Sequence, residues 1–136
     1  MPRLWTGTVW QGVPVVLYDL VRGLNGANIT QGSVSNLFAR VFYDSSGEQI
    51  GSDIALVKTE CIFDTLQDAT DDPRYTGTGG FNFRATIPGL YFRPLPDSGD
   101  DDALITVFVF FADASSPPIT SVSGWQIIAK EVFGFP

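Results

Sequence analysis

Alternation of apolar and polar positions is clearest over residues 81–87, where Phe81, Phe83, Ala85 and Ile87 fall on one side and Asn82, Arg84 and Thr86 on the other. Successive side chains of a strand point to opposite faces, so this period of two predicts a strand with one face in a core and one in water. Residues 35–43 carry Leu37, Ala39, Val41 and Tyr43 at the same spacing, and Asp44-Ser45-Ser46-Gly47 follows before Ile50, Ile54 and Leu56 resume. Turn formers between two such runs predict a hairpin. Residues 15–21 predict the first core strand, closed by Arg22-Gly23-Leu24-Asn25-Gly26, whose Asn-Gly pair suits positive φ. Residues 103–112 depart from alternation. Ile105, Val107, Val109 and Phe111 share one face, and Leu104, Phe108 and Phe110 the other, so both sides are apolar.

Residues 60–66 fit either a short strand or one helical turn and are read as strand. With 50–58 and 125–133, the chain yields about seven strands separated by turn residues, 14 glycines and nine prolines among them. Such spacing predicts an all-β fold, an antiparallel two-sheet β-sandwich. At 136 residues one domain suffices. It is assigned to residues 13–136, with residues 1–12 an N-terminal arm or an extra strand.

The layout over residues 13–133 resembles immunoglobulin-like and transthyretin-like β-sandwich modules. Cys61-Ile62-Phe63-Asp64-Thr65-Leu66-Gln67 and Gly79-Gly80-Phe81-Asn82-Phe83 are the segments most similar to a signature. The chain departs from antibody-type domains in having no second cysteine and no tryptophan set between two cysteines. The resemblance implies a binding or assembly unit, of the kind carried on bacteriophage particles and on bacterial surface proteins.

Charge and reactive residues narrow the chemistry. Eight Lys and Arg against 15 Asp and Glu give a net charge of −7, the wrong sign for tracking phosphates, so nucleic acid is not an expected partner. The absence of histidine and the single Cys61 exclude an intrachain disulfide framework, a Cys/His zinc cluster and a histidine-based triad. Lys58 and Lys130, the only lysines, read as charges on water-facing strand positions rather than as bases. Cys61, in an apolar run, reads as an inert core thiol. The acidic stretches 68–72 and 97–102 offer oxygen ligands for calcium but lack the EF-hand order and read as solvated loops. Gly77-Thr78-Gly79-Gly80 lacks a following Gly-Lys-Ser/Thr and reads as a turn. Neither a metal nor a cofactor is expected. A small hydrolase using carboxylates such as Asp64 is the remaining enzymatic reading.

Aromatic residues carry the functional expectation. An apolar outer face around Phe108 and Phe110 would mark a contact surface, and Trp5 and Trp10 would form a docking arm or fold back as another strand. The expected function is a noncatalytic assembly protein acting through protein–protein contacts, as a homo-oligomer or in a larger assembly such as a phage capsid or tail. Neither a secretory signal nor a membrane span is read from the sequence. Folding in the cytoplasm, with incorporation into a virion, is the matching localisation. The alternative is a surface-displayed carbohydrate- or ligand-binding module, with Trp5, Trp10, Tyr75, Tyr91 or Trp125 stacking on sugar.

Overall fold

A computed structural model describes residues 6–23, 26–44, 46–68, 80–92, 102–112 and 119–130. Eight strands appear among them: β1 (Thr6–Trp10), β2 (Val15–Asp19), β3 (Asn36–Tyr43), β4 (Ile54–Ala55), β5 (Ile62–Gln67), β6 (Phe81–Ile87), β7 (Asp102–Ala112) and β8 (Ile119–Lys130). A single helical turn, α1 (Lys58–Cys61), precedes β5. One sheet has the order β1-β8-β7-β3-β4 and the other β2-β6-β5. Every pairing is antiparallel except β1 on β8, where Thr6 lies beside Gln126 and Trp10 beside Lys130.

The core lies between the sheets and follows the period of two. Leu37, Ala39, Val41 and Tyr43 of β3 face inward together with Ile105, Val107, Val109 and Phe111 of β7. From the smaller sheet come Val15, Leu17, Phe83, Ala85 and Ile87, and the rings of Phe83 and Phe111 meet edge to face at 5.1 Å. Edge-to-face contact aligns the positive rim of one ring with the negative face of the other, adding specificity to the area buried.

The turn after β1 is fixed by backbone alone. Gly12 has φ +82°, and its N–H donates to the carbonyl of Phe92 at 3.0 Å. A Cβ on Gly89 would collide with the Gly12 carbonyl, so the two backbones pack where no side chain fits.

Of the two expectations for the N-terminal segment, residues 6–10 form the strand, β1, at the edge of the larger sheet. Several other expectations change. The expected 50–58 strand shrinks to Ile54–Ala55, because Gly51 at φ +69° turns the chain before it and α1 begins after it. Residues 60–66 divide: the helical turn runs through Cys61, and strand begins at Ile62. Lys58 therefore lies in a helical turn and not on a water-facing strand position, and its Nζ donates to the carbonyl of Val34 at 2.7 Å. The last strand starts at Ile119, six residues before the expected boundary, because an eleven-residue β7 pairs along most of its length. Asn82, placed with the polar face of β6, is only 2% exposed. Val21 N–H donates to its Oδ1 at 2.7 Å, and its Nδ2 donates to the carbonyls of Val21 at 2.9 Å and Ile29 at 3.4 Å. The chain following β2 thus closes over an amide that satisfies its buried backbone groups.

Candidate functional site: an aromatic sheet face

The outer face of β3 and β7 is built by pairing register. Phe38 lies opposite Phe110, Arg40 opposite Phe108, and Phe42 opposite Thr106. Phe38 and Phe110 stack with centroids 5.0 Å apart and planes at 17°. Phe108 stands 6.4 Å from Phe110 and 6.0 Å from Phe42. Four half-buried rings therefore form one continuous row across two adjacent strands. On the other flank of β7, Gly124, itself buried, lies opposite Phe108. Leu104, 38% exposed, and Ile128 continue the apolar surface along β7 and β8.

The charge within the row is internally compensated. The Arg40 guanidinium sits 5.2 Å from the centroids of both Phe38 and Phe110. Its Nε donates to Asp53 Oδ1 at 2.9 Å and its Nη2 to Oδ2 at 3.2 Å, a two-pronged ion pair. Gln49 Nε2 donates to Asp53 Oδ1 at 2.8 Å. Hydrogen bonds from Arg40 and then Gln49 hold the Asp53 carboxyl below its ordinary pKa. The paired Arg40 leaves the aromatic row without net charge at this point.

At the Phe42 and Phe108 end the face opens into a cavity of about 390 Å³, walled by these rings with Tyr43, Thr106 and Gln126. Asp44 stands at its rim and accepts a hydrogen bond from Thr106 Oγ1 at 3.3 Å. A second recess, of about 270 Å³, lies beside Glu60, Cys61, Arg84 and Thr86. Cys61 is buried, and desolvation followed by the neighbouring Glu60 pushes its thiol up from the ordinary value, which disfavours the thiolate.

Comparison of the chain with protein-family models, curated proteins and solved structures found no match.

Of the expected contact residues, Phe108 and Phe110 lie side by side in the row. Trp10 is on the edge strand β1 and 59% exposed, and Trp5 lies outside the described residues. Of the sugar-stacking set Trp5, Trp10, Tyr75, Tyr91 and Trp125, only Trp10 and Tyr91 have described side chains. Tyr91 packs against the core, while Tyr75 and the side chain of Trp125 lie outside the described residues. Asp64 Oδ1 accepts the Gln31 backbone N–H at 2.7 Å, tying the 31–33 turn to β5. Residues 69–72 and 97–101 of the acidic stretches also lie outside the described residues, and no group of three metal-ligating side chains occurs within them. No described helix is long and apolar enough to cross a membrane.

Sequence reasoning missed Phe38, Arg40 and Phe42. Their signal was available: they are the alternate positions of the same strand whose inward residues identified it.

Proposed function

We propose that this chain is a noncatalytic assembly domain that binds other proteins through the outer face of its five-stranded sheet, in a homo-oligomer or a larger particle such as a bacteriophage capsid or tail. The observation that carries the reading is the row Phe38, Phe110, Phe108 and Phe42, left half-buried on the adjacent interior strands β3 and β7. Aromatic clusters of this kind are the usual anchors of protein interfaces, and Arg stacked on them is the commonest charged companion. The immunoglobulin-like reading of the fold is supported by the strand order, with a first strand running parallel to the last and sheets β1-β8-β7-β3-β4 and β2-β6-β5.

The test is crosslinking of the protein in its native source, with mass-spectrometric mapping of the linked residues, on the wild type and on Phe110→Asp. The expected result is contacts through β3 and β7 that disappear in Phe110→Asp while circular dichroism and the unfolding midpoint stay close to wild type. Thr86→Asp, at an exposed position of β6 in the other sheet, serves as the control that leaves contacts intact. A wild-type protein that is monomeric in its source, or contacts that survive Phe110→Asp, would overturn the proposal.

A further inference from the structure

The two ends of the aromatic row differ in what is left over for a partner. At the Phe38 and Phe110 end, the Arg40 charge is spent on Asp53. At the Phe42 and Phe108 end, the exposed carboxylates of Asp44 and Glu48 belong to one turn beside the cavity. That turn is anchored: Asp44 N–H donates to the Leu104 carbonyl at 3.0 Å, Gly47 N–H to that of Tyr43 at 2.8 Å, and Tyr43 N–H to that of Glu48 at 2.9 Å.

Among the described residues no cation pairs with Asp44 or Glu48. Arg40 holds Asp53, Lys58 holds the Val34 carbonyl, Arg84 lies against Phe63 in the other sheet, and Arg22 lies in the bridge to Asn28. The whole chain adds to the same sign, at −7. An apolar cavity with Asp44 in its wall and Glu48 exposed next to Gly47 of that wall is complementary to a large apolar side chain that has a cation next to it. The cavity, at about 390 Å³, falls within the range of about 300–1,000 Å³ in which pockets bury compact groups.

Resting on the assembly reading above, we infer that this cavity receives a Phe, Trp, Leu or Ile side chain from a basic segment of a partner protein, whose adjacent Lys or Arg pairs with Asp44 and Glu48. The apolar side chain supplies contact area against Phe42 and Phe108, and the cation selects orientation and speeds encounter. A second copy placing its own acidic turn against this one is disfavoured by like-charge repulsion, which leaves contacts between copies elsewhere on the face open.

The experiment selects a displayed random heptapeptide library on the intact protein and measures a synthetic copy of the most enriched peptide by titration calorimetry and amide chemical shifts. Enriched peptides are expected to carry Lys or Arg within two positions of a large apolar residue and to shift Thr106, Phe108 and Gln126. Affinity is expected to fall by about fivefold in Asp44→Asn/Glu48→Gln, as for loss of two rim charges at about 0.5 kcal/mol each. Asn retains the oxygen that accepts from Thr106, so the variant tests charge rather than folding. Enrichment without basic residues, equal affinity for the double variant, or shifts confined to other surfaces would overturn the inference. If these occur while the native crosslinks through β3 and β7 persist, only the partner's chemistry is wrong. If the crosslinks are absent too, the assembly reading falls with it.

Discussion

The two sides of β7 are close in composition and opposite in fate. Ile105, Val107, Val109 and Phe111 are fully buried under the three-stranded sheet, whereas Phe108 and Phe110 remain half-buried and Leu104 is 38% exposed. Hydrophobicity along the strand does not distinguish them. Cover does: five strands in one sheet face three in the other, and the smaller sheet protects only one side. Apolar surface left in water by such an arrangement is retained at a cost in solubility, which is why a patch of this kind points to a partner.

Paired truncations break this comparison most sharply. Phe111→Ala removes a ring buried against Phe83 and is expected to cost about 3–5 kcal/mol in denaturant unfolding, through lost transfer energy and the cavity left behind. Phe110→Ala, one residue away, loses the cross-strand stack on Phe38, the same-strand contact with Phe108 and the Arg40 contact, all on the half-buried face, and is expected to cost about 1 kcal/mol or less. Equal costs would mean that something covers the outer face of the isolated chain, and the contrast drawn here would be lost.

The smaller sheet shows what cover looks like when it is local. Asn82 sits on the outward side of β6, yet it is buried because the chain between Val21 and Ile29 closes over it. Asn82→Ala leaves the Val21 N–H and the Ile29 carbonyl to find other partners in a place water reaches poorly, while the Val21 carbonyl keeps the Ile29 N–H. Urea titration is expected to show a loss of about 1–3 kcal/mol, below that of Phe111→Ala and above that of Phe110→Ala. A neutral result would mean that the segment opens to water at little cost.

These residues also mark where the sequence was legible. Period-two runs located β3, β6 and the inner half of β7, because burial on one face imposes alternation that a single chain records. The outer face was only half read: Phe108 and Phe110 stood out in an apolar run, whereas Phe38 and Phe42 were hidden by alternation with core residues in β3. Which neighbour a strand pairs with decides that contact, and pairing is set by register across the sheet. Asn82 was read as water-facing for a related reason, since its cover comes from a loop about 60 residues earlier in the chain. Lys58 was misplaced because a four-residue helical turn is too short to leave a periodic signal.

The smallest effect expected concerns the neutral centre of the aromatic face. Asp53 is held below its ordinary pKa by Arg40 and Gln49, so the folded state binds its proton less readily than the unfolded chain. The stabilising contribution is therefore complete above the unfolded value of about 3.9 and is lost as pH falls from there through the lowered folded value. Asp53→Asn removes that dependence. The stability difference between wild type and Asp53→Asn is expected to be constant from neutral pH down to about pH 5 and to shrink as acid titrates the carboxylate. The pair is solvent-exposed, with side-chain exposures of 40% and 45%, so its worth is small and screened by salt. An amide chemical-shift titration of Asp53, Arg40 and the flanking Phe38 and Phe110 reads the same event directly. If the ion pair positions the guanidinium over the rings, the Phe38 and Phe110 resonances move with the Asp53 transition in wild type and stay fixed in Asp53→Asn. Rings that do not respond would show that stacking holds Arg40 unaided, and the face would then carry an uncompensated cation once pH falls below the lowered Asp53 pKa.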